Sequence, residues 1–138
     1  MNELNETPDC KYKLVMVIDD NEVDLYISDK LIKKNAFSEE VISMNSAISA
    51  LQYLESMAGA HEKIPQLIFL DIRMPEMDGF GFLERYESLP ETVKTKCIIM
   101  MLSSSLDKED HERASKNKYV TRFLNKPLGA DKFKELLN

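Results

Sequence analysis

The stretch LIFLDIRMPEMDGF, Leu67 to Phe80, decides the fold. It opens with four apolar residues, Leu67 to Leu70, and no polar alternation. A strand of that kind is buried on both faces, which points to a parallel sheet covered by helices. The run then stops at one carboxylate, Asp71. A loop with Pro75, Glu76, Asp78 and Gly79 comes next, before aromatic residues resume. In an open parallel sheet, ligands sit in the crevice beyond the carboxyl ends of the strands. An acid at a strand tip therefore stands where a site would be built.

Four further apolar runs flank this one: LVMVI (14–18), EVISM (40–44), CIIMML (97–102) and YVTRFL (119–124), with QLIFL at 66–70 as the third of five. Between them lie segments with helical spacing. Val23, Ile27 and Leu31 form one stripe, and Ala47, Ala50, Leu51 and Leu54 a second. Phe80, Leu83 and Tyr86 form a third, and Phe133, Leu136 and Leu137 the last. Alternating strands and amphipathic helices predict an α/β domain with a doubly wound, five-stranded parallel sheet flanked by five helices. Asn45 or Ser46 is expected to cap the second helix and Asp78 the third, while Asp107 with Asp110 resembles a capping box for the fourth. That fourth segment, DKEDHERASKNK, has Ala114 as its one clearly apolar residue. A helix with so little apolar face is weakly anchored, so it is expected to move or to serve as a partner surface. Residues 1–12 read as an N-terminal tail and residues 13–138 as the domain.

Composition narrows the function classes. The 138 residues suit one domain, and 43% hydrophobic with 30% charged residues is ordinary for a soluble globular chain. The net charge is −6, and no basic stretch is long enough to track a phosphate backbone, so direct nucleic-acid binding is not expected. No apolar run approaches a membrane span, and the polar N-terminus lacks the apolar centre of a secretory signal. Cys10 and Cys97 cannot staple a domain of this size and read as reduced thiols in a cytoplasmic protein.

The residues just beyond the strand tips carry the chemistry. Asp19 and Asp20 come after the first strand, Asp71 after the third, Ser103 after the fourth, and Lys126 with Pro127 after the fifth. Taken singly, each has a plain structural use: acids cap helices or open turns, and a lysine is a solvated surface charge. Taken together, three carboxylates in one crevice repel and raise a pKa. Mg²⁺ relieves this, since it suits one or two carboxylates with waters and a phosphoryl oxygen. Ser103 and Lys126 add a donor and a positive charge that a bare cation site does not need and a phosphoryl group does. Asp71, on a rigid buried strand, is then the natural nucleophile for an acyl phosphate.

The motifs VIDDNE, FLDIRMPEMDGF and LNKP, in this order and spacing, resemble the response-regulator receiver domain, the CheY-like family of two-component signalling. The resemblance spans Lys13 to Leu137 and implies the flavodoxin-like strand order 2-1-3-4-5. It implies that Asp71 accepts a phosphoryl group from a histidine kinase or phosphotransfer protein. It further implies that Asp20 and Asp71 ligate Mg²⁺, that Asp19 assists through water, and that the Arg73 backbone carbonyl is another ligand. Ser103 would turn its hydroxyl toward the phosphoryl group, Lys126 would pair with it through a cis bond to Pro127, and Phe123 would be the aromatic switch. Arg73 and Ser105 occupy positions that tune phosphoryl lifetime in this family, and the loop SKNKYVTR departs from its usual small residues.

Four other readings compete. A haloacid-dehalogenase-like phosphatase would carry a second Asp where Arg73 stands. A flavin carrier would need a hydroxyl- and glycine-rich loop in place of DDNEVD, and DIRMPEMDG lacks the spacing of a calcium loop. A receiver-like docking module that is never phosphorylated keeps the same residues. No output domain follows Asn138, so the expectation is a single-domain regulator, monomeric or weakly dimeric, that signals by binding a partner, or a receiver cut from a longer protein.

Overall fold

The computed structural model describes residues 9–104 and 107–137. Ser105 lies outside the described residues, as do the first eight residues of the expected tail. Five strands form one sheet: β1 (Tyr12–Ile18), β2 (Ser38–Met44), β3 (Leu67–Asp71), β4 (Ile98–Ser103) and β5 (Val120–Asn125). All neighbours pair parallel, in the order β2-β1-β3-β4-β5. This is the order that the resemblance implies. β1 opens at Tyr12, beside the boundary set between tail and domain.

The helices are α1 (Glu22–Lys34), α2 (Ala47–Ser56), α3 (Gly79–Tyr86), the single turn α4 (Glu91–Lys94), α5 (Lys108–Lys116) and α6 (Ala130–Leu137). The five expected helices are present. The additional α4 is four residues long and starts after Pro90, too short to leave a periodic stripe in the sequence.

Side chains alternate across the sheet and build two cores. Met16, Ile18, Ile68, Leu70, Ile99 and Met101 pack with Ala47, Leu54, Phe82 and Tyr86 on the α2–α3 face. Val15, Val17, Phe69, Met100 and Leu102 pack with Leu25, Ile32, Phe133 and Leu136 on the α1–α6 face. Every residue of β3 is buried, as the apolar run predicts. Full burial of each Leu, Ile or Phe contributes roughly 1.5–3 kcal/mol, so β3 is firmly anchored between the two cores.

Two sequence expectations change. Of the stripe Val23, Ile27 and Leu31, only Leu31 packs against the core. Val23 is 64% and Ile27 46% exposed, while Leu25 and Ile32 are buried. Both spacings suit a helix, and the sheet selects the stripe whose residues reach Phe37 and Phe69. The expected capping box of α5 is also only half realised. Asp107 caps the helix by accepting from the Glu109 N–H, but Asp110 turns inward and is buried. Elsewhere the expected caps hold: Ser46 accepts from the Ser49 N–H and Asp78 from the Gly81 N–H.

Candidate functional site

The strand order reverses direction at β1, which sends its connection to β2 on one side and has β3 on the other. The crevice opens at the carboxyl ends of β1 and β3. There the carboxylate oxygens of Asp19, Asp20 and Asp71 lie within 4.8 Å of one another. Asp19 and Asp71 are buried and Asp20 is exposed, so one acid faces the solvent from which a cation or donor would arrive.

Asp71 is held from behind. The Ile72 N–H donates to the Leu102 carbonyl at 3.1 Å, and the Gly79 N–H to the Ile72 carbonyl at 2.8 Å. The chain after Asp71 therefore folds back over it, with Glu76 at φ 68°, a left-handed conformation that a non-glycine residue adopts at some cost. Gly79 is required by close approach: a Cβ there would stand 2.7 Å from the Asp71 carbonyl oxygen.

Burial raises the Asp71 pKa from 3.8 to about 6, with Asp19 and Asp20 adding to the rise and Lys126 opposing it. The Lys126 Nζ lies 2.7 Å from Asp19 Oδ2, 3.1 Å from Asp24 Oδ2 and 3.6 Å from Asp71 Oδ1. Burial works against its charge, but the hydrogen bond to Asp19, the charge of Asp71 and the hydrogen bond to Asp24 outweigh it and raise its pKa. The Lys126–Pro127 bond is cis. Ser103 is buried at the end of β4, and its carbonyl accepts from the Lys126 N–H at 2.9 Å. The hydroxyl strand and the lysine loop are thus joined directly.

Phe123 sits half-buried on β5 with its ring 4.2 Å from that of His111 on α5. Arg73 sends its side chain away from the acids. Its guanidinium donates to Asp110 Oδ2 at 2.5 Å, joining the loop after β3 to α5. Among the described residues α5 is also attached by the buried Ala114 and by the Arg113 guanidinium, 3.9 Å from the Phe80 ring centroid.

The structure brings Asp19, Asp20, Asp71, Ser103 and Lys126 to one rim. It places the Phe123 ring and the Arg73 guanidinium against α5. Sequence reasoning missed Asp24, and it gave Asp110 a capping role in place of its pairing with Arg73. Asp24 lies in the first turn of α1, just past Asp20, and Asp110 stands one helical turn before Ala114 on the same face of α5.

An α/β domain with this strand order and an acid-lined crevice opposite a lysine is the architecture of a signalling receiver. The sequence matches the response regulator receiver domain model over residues 15–138, and the chain belongs to that family. Among solved structures it is similar to a response regulator receiver protein from Dyadobacter fermentans, at 35% identity and TM-score 0.79, covering 91% of this chain and 94% of that one. A two component response regulator from Cytophaga hutchinsonii matches at 30% identity and TM-score 0.83, covering 93% and 96%. The receiver domain of the histidine kinase CKI1 from Arabidopsis thaliana, solved with Mg²⁺ and BeF3⁻, shares the fold at 24% identity and TM-score 0.75, covering 91% and 89%.

Proposed function

We propose that Asp71 accepts a phosphoryl group from a phosphohistidine of a histidine kinase or phosphotransfer protein, and that the resulting charge reshapes the α5–β5 face for a protein partner. The observation that carries this reading is the pairing of a buried strand-tip carboxylate, Asp71, with Lys126 and two further acids in one crevice. An Asp71 carboxylate oxygen attacks phosphorus, the P–N bond breaks, and the electron pair leaves on the imidazole nitrogen. The product is an acyl phosphate. The chain contributes positioning and charge rather than further covalent chemistry.

The donor set fits a hard divalent cation: three carboxylates close together, one exposed, with Asp71 costly to ionise without a counter-charge. Asp20 and Asp71 would hold Mg²⁺, with Asp19 behind them through water and the Arg73 carbonyl as a further ligand. Bound there, the ion would neutralise charge on the transferring oxygens. Lys126 balances another oxygen, and Ser103 donates to a third. Phe123 and Ser103 then shift together. Because Ala114 is the one apolar residue that α5 buries, shifting its face disturbs the α2–α3 core at a single small side chain.

The domain on this reading is a phospho-acceptor that assists its own phosphorylation and dephosphorylation, not a turnover enzyme. Among the described residues no helix is long and apolar enough to cross a membrane, in keeping with action in the cytoplasm. The test is incubation with Mg²⁺ and acetyl phosphate, followed by intact-mass analysis. The expected result is one added phosphoryl group on wild type, none in EDTA and none on Asp71→Asn. No adduct, and no change in the Phe123 resonances with beryllofluoride, would leave a phosphorylation-independent docking module. Sustained release of phosphate from assorted phosphoesters would instead favour the phosphatase.

A further inference from the structure

Lys126 is held in a ring of three hydrogen bonds closed by one ion pair. Its Nζ donates to Asp19 Oδ2 at 2.7 Å. Asp19 Oδ1 accepts from the Asn21 N–H at 2.9 Å. Asn21 Oδ1, the cap of α1, accepts from the Asp24 N–H at 3.0 Å. Asp24 Oδ2 lies 3.1 Å from the same Nζ, closing the ring. Asn21 thus indexes both acids against each other, one through its backbone and one through its side chain. The acceptor Asp71 pairs with Nζ at 3.6 Å, the longest of its three carboxylate contacts, and stands outside the ring.

We infer that Asp24 is a positioning residue: with Asp19 it holds Lys126 back from close contact with Asp71, so that the lysine must leave Asp24 to serve a phosphoryl group. This rests on the phospho-acceptor reading above. An ammonium has three N–H donors, and here two are taken by anions. The Asp24 backbone N–H is tied to the α1 cap, so the turn that carries its carboxylate is fixed beside Lys126. The Asp24 side chain is 41% exposed and that of Asp19 3%, so the Asp24 contact is the better solvated and the easier to give up. A new dianion on Asp71 would compete for the lysine chiefly against Asp24. Asp24 therefore sets a threshold on how readily Lys126 stabilises the transferring group.

Asp24→Ala opens the ring without touching Asp71, Asp20 or Ser103. The rate of phosphorylation by acetyl phosphate at saturating Mg²⁺ should rise about fivefold, which is about 1 kcal/mol at about 1.36 kcal/mol per tenfold. In a Lys126→Met background the same substitution should leave the rate unchanged, because the residue acts through the lysine. A crystal structure of Asp24→Ala should show Nζ within hydrogen-bond distance of Asp71, a readout that needs no phosphorylation. An unchanged rate with the lysine still at its wild-type position overturns the inference. A rise that persists in Lys126→Met also overturns it, since Asp24 would then act only as a bare repelling charge. If wild type takes no phosphoryl group, the acceptor reading fails, and the lysine position in the crystal still decides whether Asp24 holds it back.

Discussion

Ionised Asp71 should destabilise the metal-free domain, and Asp71→Asn should relieve the cost. Burial, with Asp19 and Asp20, outweighs Lys126 and lifts the Asp71 pKa from 3.8 to about 6. An acid whose folded pKa lies above its unfolded one binds its proton more tightly when folded, so stability falls as pH rises through that window. The gap between 3.8 and about 6, at about 1.36 kcal/mol per pH unit, amounts to about 3 kcal/mol at pH 7. The Asp71 side chain is only 7% exposed, so solvent screens little of this. Asparagine keeps the shape of the protonated acid and cannot ionise. In EDTA at pH 7 the variant should be more stable by about 3 kcal/mol, a rise in melting temperature on the order of 10 °C. The advantage should shrink below pH 6 and vanish near pH 4. Denaturant titrations across that range measure it. Mg²⁺ should restore most of the difference by stabilising wild type more than the variant. A variant no more stable than wild type at pH 7, or an advantage that does not change with pH, would refute the electrostatic account.

Arg73→Ala should cost about 1–2 kcal/mol, since it strands the Asp110 side chain, 7% exposed, while the arginine itself is 60% exposed; amide hydrogen exchange should accelerate in α5 before any other helix. Gly79→Ala should cost about 1–3 kcal/mol in denaturant and slow Asp71 phosphorylation, because the new methyl would stand 2.7 Å from the Asp71 carbonyl oxygen and force the nucleophile strand to shift. Tyr86→Phe should be neutral or stabilising by up to about 1 kcal/mol. The fully buried Tyr86 hydroxyl has no hydrogen-bond partner among the described residues, and the nearby Cys97 thiol donates to the Pro65 carbonyl instead. Equilibrium unfolding tests this last variant directly.

The strands and the site rim were legible because both depend on local pattern. β3 is apolar without alternation, and Asp71, Ser103 and Lys126 each stand at or just past a strand tip, so topology alone gathers them. Strand ends were less legible: β2 begins at Ser38, two residues before the apolar run, because backbone pairing with Tyr12 extends it through polar side chains. α1 was assigned a mostly exposed face because Val23, Ile27 and Leu31 keep helical spacing as well as the buried Leu25 and Ile32 do. The Asp24 and Asp110 contacts were hidden for another reason. An acid in a first helical turn reads as a dipole partner, and nothing local shows that Lys126 or Arg73, far along the chain, will meet it.

The thin attachment of α5 has a thermal consequence. Its contacts among the described residues include an ion pair, a ring tilted against a ring and a guanidinium over a ring, with Ala114 the one apolar side chain of the helix that is buried. Heat-capacity change follows the apolar area that enters or leaves water. Swinging α5 between two dockings would transfer very little such area. The equilibrium between its positions should therefore have a heat-capacity change near zero, and its balance should vary smoothly with temperature, unlike the curved dependence of unfolding the two cores beneath it.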